Sequence, residues 1–474
     1  MQSEQPHYRK QYLAAVIATL GAFSIGTIFG WSSPVELGLV KNSEAGFDIR
    51  ESQFAWIVSL MGLGGAAISL PIGLIVPTFG ARNTLLMSVL PTVLGWICII
   101  WANNVVMMLV GRLLTGFGAG AFCMVVPIYI GEMASKEIRG TVGSFFQQMI
   151  NLGLVSTYAL GLRLDVFWLS VACGLVPVLY GVLFFFMPNT PTFLVHRKQE
   201  SEAIAAIHWL RGSHFDASLE INDIQSQRHQ LMAVGDDGFS HNKMSVWKSF
   251  RQPATVRALV IMLGIMFFMQ ASGVNAVLFY STSIFQEANV AGEPELATII
   301  MGGMQVFGTL LSSLVVDRLG RRVLLLTSGS VMCVSVLTLG VYQLLLSDDS
   351  SQVASRAGWL PIAALCLYVT LFSVGFGPVP WLMLGEIFAS DVKGPASALA
   401  NMTSFAMSFV LSLLFPLARQ SIGNGATFII FSGFSALSVV FVAFVVPETK
   451  GKSLNEIQRM LADSGIGITC RGNK

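Results

Sequence analysis

Residues 106–140 read VMMLVGRLLTGFGAGAFCMVVPIYIGEMASKEIRG. From Val106 to Gly131 the only charged residue is Arg112. About 20 such residues, wound as a helix, cross about 30 Å of hydrocarbon. The run closes on Gly131-Glu132, and a base follows seven residues after the acid, at Arg139-Gly140. The same signature returns at Gly385-Glu386 and Lys393-Gly394. A membrane span whose closing motif occurs twice points to a membrane protein built by duplication.

Outward from that stretch, apolar runs of spanning length recur at roughly 13–33, 54–77, 83–102, 106–131, 143–163 and 166–187, and again at 256–283, 297–316, 323–346, 360–388, 397–418 and 426–447. The sequence therefore predicts an all-α membrane protein with twelve transmembrane helices in two pseudo-symmetric six-helix bundles. The expected units are an N-terminal bundle at 1–187, a linker at 188–254, a C-terminal bundle at 255–450 and a tail at 451–474. Composition agrees: the 474 residues are 54% hydrophobic and 11% charged, against about 25% charged in soluble domains. So little charge cannot coat a surface of that size in water, whereas a bilayer solvates an apolar exterior. A net charge of +2 gives no reason to expect nucleic acid or an acidic partner. Met1 to Gln11 carry no cleavable signal pattern, so the first apolar run is read as a retained span. Cys98, Cys123, Cys173, Cys333, Cys366 and Cys470 show neither metal-ligand spacing nor a disulfide framework, and are read as small core residues. No cofactor is expected, and no nucleophile–base pairing, phosphate loop or metal cluster suggests an enzyme.

Two further motif pairs extend the duplication. Gly80 and Arg82 answer Gly320 and Arg322, and Pro188-Asn189-Thr190 answers Pro447-Glu448-Thr449. Three pairs in the same order imply two related halves, and parallel repeats of this kind hold a solute near the midplane between them. With an even number of spans both termini share a side, and that side carries 22 of the 28 basic residues, against five in the opposite loops. The positive-inside rule then puts both termini and the linker in the cytoplasm. In the linker, Ser201 to Gly212 places Ile204, Ile207, His208 and Leu210 near one face of a short amphipathic helix expected to pack under the bundle.

Ionisable residues inside a bilayer are costly, and here nearly all of them cluster at span ends on the terminal side. Glu132 with Arg139, Glu386 with Lys393, and Asp317 with Arg318, Arg321 and Arg322 suit a charge network bridging helix ends between the halves in one state and parting in the other. Arg112 is read as structural, snorkelling toward the outer face. Uncharged polar residues are left to line a cavity: Gln147, Gln148 and Asn151 on the fifth span, Gln270, Ser272 and Asn275 on the seventh, Gln305 on the eighth, and Ser373, Trp381 and Ser404 on the tenth and eleventh. Amides offer donors and acceptors that match vicinal hydroxyls, and an aromatic ring suits the apolar face of a pyranose. The competing reading, interhelical hydrogen bonding, needs the same residue types. Neither the first span from Leu13 to Ser33 nor the middle of any other contains Asp or Glu, so uniport is favoured over proton symport. Gly375-Phe-Gly377-Pro378-Val-Pro380 predicts a break in the tenth span. The glycines at 62, 64 and 65, and at 116, 118 and 120, predict close helix packing.

In order along the chain, these strings resemble the sugar-porter branch of the major facilitator superfamily, most densely at Gly111-Arg112 through Gly120, Pro127 to Glu132, Arg139-Gly140, Asp317 to Arg322 and Pro447 to Gly451. Gln270 to Ala276, followed by Phe279 to Phe285, is similar to that family's seventh helix. Within the branch the chain is similar to insect facilitated trehalose transporters and to animal facilitative glucose transporters. The resemblance implies the major facilitator fold and a sugar substrate. It implies that Gln147, Gln270, Asn275 and Trp381 face the sugar and that Phe279 and Tyr280 help close the outer side. It also puts Glu132, Arg139, Asp317, Arg321, Arg322, Glu386 and Lys393 on the family's cytoplasmic charge network. Gln305 and Ser404 stand where the family's eighth and eleventh helices offer asparagine. Met269 replaces a glutamine and Phe405 a tryptophan, while the Pro77-to-Arg82 loop keeps one base of an acid and two bases. Facilitative transport of a hexose or a trehalose-like disaccharide is the resulting expectation, by a monomer in the plasma membrane. The alternatives are a sugar sensor, a carrier of a less polar solute, and a proton-coupled symporter.

Overall fold

The computed structural model describes residues 8–40, 44, 46–135, 137–213, 215–233, 250–290, 292–348, 357–388, 392–452 and 454–463. Among them ten helices are long and apolar enough to cross a membrane. One of these, Glu51–Ile100, has 50 residues. At about 1.5 Å per residue it would be roughly 75 Å long, more than twice the thickness of the hydrocarbon. It breaks at Gly80, whose φ of 80° and ψ of 159° no other residue type reaches without strain. Residues 51–79 and 81–100 are therefore two crossings. A twelfth, Arg139–Gly161, has 23 residues, long enough to span, but is less apolar because it carries Gln147, Gln148 and Asn151. The twelve spans are thus Arg9–Val40, the two arms of Glu51–Ile100, Val105–Met133, Arg139–Gly161, Val166–Phe185, Pro253–Phe279, Pro294–Leu319, Arg321–Asp348, Leu360–Ile387, Lys393–Ile422 and Asn424–Val445. They follow the expected runs closely.

Three spans are interrupted, and the interruptions shape the interior. The first turns at Trp31, between Arg9–Gly30 and Ser32–Val40. The seventh breaks at Ser272-Gly273 and resumes as Val274–Phe279. The tenth breaks after Val374 and resumes at Val379, as the Gly375-to-Pro380 string predicts. The glycine clusters do bring helices close. A Cβ on Gly64 would lie 2.2 Å from the Leu113 carbonyl oxygen, and one on Gly116 would lie 2.2 Å from that of Met61. The outward faces are apolar, with Leu74 78% and Phe186 71% exposed; lipid covers such residues at no cost.

The linker folds as Pro191–His196, Glu200–Arg211 and Ala217–Ala233 around a small core of its own, built on Leu194, Val195, Ala206, Ile207 and Ile221. Its buried face runs through Ala203, Ala206, Ile207 and Leu210, and Ile204, expected on that face, points outward. Lys10 stands over the Trp209 ring at 5.4 Å and ties the linker to the first span. Arg211 and Glu220 pair at 2.5 Å, and burial still pushes the Glu220 carboxyl above its ordinary range despite the facing guanidinium. After the last span, Leu454–Asp463 docks through the buried Ile457 and Leu461. Gln458 Nε2 donates to the Ile387 carbonyl at 2.6 Å, and Arg257 Nη1 to that of Ala462 at 3.0 Å.

Candidate functional site

Between the first six spans and the last six lies a narrow cavity of about 90 Å³. Seven of the ten residues expected to line a cavity do so: Gln147, Asn151, Gln270, Asn275, Gln305, Trp381 and Ser404. The breaks explain how they converge. The interruption at Ser272-Gly273 lets Gln270 and Asn275, five residues apart, face the same space, and the tenth-span break turns Trp381 inward.

The amides on the seventh-span side bond to one another. Gln270 Nε2 donates to Ser404 Oγ at 2.8 Å, and Asn275 Nδ2 donates to Gln270 Oε1 at 2.8 Å and to Ser408 Oγ at 2.6 Å. Across the cavity, Gln147 Nε2 reaches Asn151 Oδ1 at a longer 3.3 Å. Gln305 is 3% exposed, and its side-chain carbonyl has no hydrogen-bond partner. A buried acceptor left empty costs about 1–3 kcal/mol, so a hydroxyl donor entering the cavity gains that much by meeting it. Phe146, Phe372, Phe405 and Met269 supply apolar wall.

The side opposite the termini is closed. Phe279 and Tyr280, both fully buried, meet Phe29 and Phe54 of the first half edge-on, with ring centroids 5.7 and 6.2 Å apart. Ser33 Oγ lies 2.8 Å from Ser281 Oγ and accepts from the Thr282 backbone amide at 3.1 Å. Glu36 accepts from Ser283, Tyr158 Oη donates to the Leu278 carbonyl at 2.6 Å, and Gln420 donates to Glu51 at 2.8 Å. Toward the termini the walls part: Cβ atoms built on Gly131, Gly140, Gly143 and Gly394 would meet nothing within 4 Å.

On that open side the charged network is bonded within each half. Arg321 holds Glu386 through Nε at 3.2 Å and Nη2 at 2.9 Å, and Thr449 Oγ1 donates to the other carboxylate oxygen at 2.7 Å. Glu448 caps the ninth span by accepting the backbone amides of Arg321 and Arg322 at 2.9 and 3.1 Å. The Arg322 side chain donates to the Ala443 carbonyl, and Lys393 Nζ to that of Gly385 at 3.0 Å. The first half repeats the design in thinner form. Glu132 accepts from Thr190 at 2.5 Å, as Glu386 does from Thr449. Ala81 stands where the second half has Arg321, and Arg139 donates to the Ala134 carbonyl at 3.3 Å. The side chain of Asp317 lies outside the described residues.

Other sequence expectations sort differently. Gln148, Ser272 and Ser373 do not line the cavity. Ser272 Oγ instead donates to the Met269 carbonyl at 2.8 Å and meets Tyr368 Oη at 3.1 Å, which is the interhelical bonding that competes with a solute role. Ser408 was not anticipated; one helical turn beyond Ser404, it carries the signal of shared face alone. Arg112 does not snorkel. It is fully buried over the Trp31 ring, and donates to the carbonyls of Ile57 and Ile28, each at 3.1 Å, and to Ser32 Oγ at 3.0 Å. Ile28 and Ser32 flank the bend in the first span, and Ile57 belongs to the second.

The family described as sugar (and other) transporter matches residues 13–461. The chain is 34% identical over 451 residues to the facilitated trehalose transporter Tret1 of Aedes aegypti, 35% identical over 453 residues to that of Anopheles gambiae, and 34% identical over 451 residues to that of Culex quinquefasciatus. Each comparison takes in 95% of this chain. The chain spans 55% and 56% of the first two relatives, about half their length, and 86% of the third. Among solved structures, the inward-open xylose transporter XylE from E. coli matches with a TM-score of 0.76 at 23% identity, covering 95% of this chain and 99% of that one. The proton:xylose symporter XylE bound to 6-bromo-6-deoxy-D-glucose matches at 0.75 and 23%, with the same coverage.

Proposed function

The chain belongs to the sugar transporter family and is a multi-pass integral membrane protein, and from this we propose that it carries a hexose or a trehalose-like disaccharide by facilitated diffusion. The observation that carries the proposal is an uncharged, amide-lined cavity between the halves in which the buried Gln305 carbonyl awaits a donor. Gln147, Gln270, Asn275, Gln305 and Ser404 exchange hydrogen bonds with sugar hydroxyls, and the Trp381 ring covers an apolar sugar face. Phe279 and Tyr280 close the outer side over the loaded site. The charged residues at span ends hold the cytoplasmic side shut in the opposite state, when Glu132, Arg139, Glu386 and Lys393 come together across the halves. The named relatives favour the disaccharide, since three are facilitated trehalose transporters.

Among the described residues the cavity wall holds no carboxylate, so a proton has no group there to ride on, which favours uniport. The protein catalyses no covalent chemistry, works as a monomer without nucleic acid, and sits in the plasma membrane with both termini in the cytoplasm. Uptake of radiolabelled trehalose, glucose and other mono- and disaccharides into proteoliposomes tests the reading. Saturable uptake of at least one sugar is expected; binding without flux would favour a sensor. One observation does favour a less polar solute as second reading: Gln270, Asn275, Ser404 and Ser408 bond to one another, beside Met269 and Phe405.

A further inference from the structure

Asn151 has no part in the sugar contacts proposed above. It is 1% exposed, lines the cavity, and stands where the fifth span of one half meets the eighth span of the other. Its side-chain carbonyl accepts from Gln147 Nε2, one helical turn earlier, at 3.3 Å. Its amide donates across the seam to Thr309 Oγ1 at 2.5 Å and to the Gln305 backbone carbonyl at 3.4 Å. The Thr309 hydroxyl donates to that same carbonyl at 3.0 Å. One side chain thus joins two cavity glutamines, one loosely bonded and one with an empty side-chain acceptor, to a bond that holds the halves together. Farther along the seam, a Cβ on Gly302 would meet Val155 at 2.9 Å, so the two helices touch closely enough to feel a change in that bond.

We propose that Asn151 is a positioning residue through which sugar bound at Gln147 and Gln305 is coupled to the fifth–eighth span seam. The inference rests on the reading that the chain carries sugar. A sugar hydroxyl that engages Gln147 Nε2 takes it from Asn151 Oδ1, and a hydroxyl that donates to Gln305 Oε1 draws on the turn whose backbone carbonyl Asn151 holds. Both events act on the same cross-seam bond, and a ligand moves a conformational equilibrium only through such differential contacts. Occupancy therefore sets how firmly the halves are tied. A leucine at 151 unties them whether or not sugar is present.

The experiment compares net uptake and counterflow exchange of the same sugar in proteoliposomes. The proteins are wild type, Asn151→Leu, Thr309→Val, Gln147→Ala, and the doubles Asn151→Leu/Thr309→Val, Asn151→Leu/Gln147→Ala and Thr309→Val/Gln147→Ala. Asn151→Leu and Thr309→Val should each change the ratio of exchange to net uptake by about threefold or more, the size of one modest hydrogen bond. Thr309→Val should add nothing in the Asn151→Leu background, and the KM penalty of Gln147→Ala should shrink there. An asparagine serving structure alone would lower the yield of folded protein and leave both the ratio and the Gln147→Ala penalty unchanged per folded molecule, which overturns the proposal. Additive doubles overturn it as well. If Asn151→Leu does not fold, Thr309→Val with Gln147→Ala decides in its place: a reduced penalty supports the coupling and an unchanged one refutes it. A wild type that moves no sugar overturns the transport reading and this inference together, whereas working wild type with additive variants overturns the inference alone.

Discussion

A buried guanidinium is among the most expensive side chains a membrane protein can carry, and Arg112 keeps its place by holding the Ile28 carbonyl and Ser32 hydroxyl at the bend of the first span and the Ile57 carbonyl of the second. Arg112→Ala should leave the Ile28 carbonyl and the Ser32 hydroxyl without their donor and cost on the order of 2–4 kcal/mol. A fall of several degrees in the thermal midpoint of detergent-purified protein would register it, and an unchanged midpoint would show that the staple is idle. At the cavity, Gln270→Leu removes a donor to Ser404 and an acceptor for Asn275. Sugar affinity should drop about threefold to tenfold with folded yield unchanged, as read by titration of intrinsic tryptophan fluorescence. Seven of the ten expected cavity positions were legible in sequence because uncharged polar residues stand out in apolar spans. Arg112 is structural as expected but buried where snorkelling was expected, because its partners on the first and second spans, Ile28, Ser32 and Ile57, come together only in the folded bundle. Ser408 escaped because a serine in a span serves interhelical bonding equally well, as Ser272 does.

Twelve crossings were readable from the length of the apolar runs, and the Gly-Pro string foretold the tenth-span break. The break at Gly80 is a conformational demand that the Gly80–Gly320 correspondence marks without explaining. Gly320 takes the same backbone shape, with φ of 95° and ψ of 158°. A Cβ at Gly80 would strike the Phe193 ring at 2.9 Å. Gly80→Ala should therefore destabilise the turn by roughly 1–3 kcal/mol and loosen the linker helix that carries Phe193. Faster proteolysis within 191–233 would report it, and wild-type cleavage kinetics would count against the argument. The linker face was misjudged at two residues, Ile204 and His208, where Ala203 and Ala206 are buried, since small residues suffice where helices pack closely. At the span ends, Arg321→Ala removes the guanidinium that holds Glu386 and leaves only the thinner lock of the first half. Exchange rates should then depart from wild type by severalfold, and equal rates would mean that the pair locks nothing.

The whole molecule is a pair of related bundles around an uncharged chamber, sealed on one side and parted on the other. The duplication and the polar residues of the chamber could be read in the sequence; which side is closed could not, because the same residues serve both states. The seal is specific enough to test. Ser33 and Ser281 come from opposite halves and their hydroxyls lie 2.8 Å apart, so cysteines at both positions, in a background freed of native cysteines, should form a disulfide under mild oxidant. Alternating access requires this seal to open in every cycle. The decisive measurement is sugar flux by that double variant in proteoliposomes before oxidation, after it, and after reduction. The account predicts normal flux, then a block, then recovery; undiminished flux through a quantitatively cross-linked protein would contradict it.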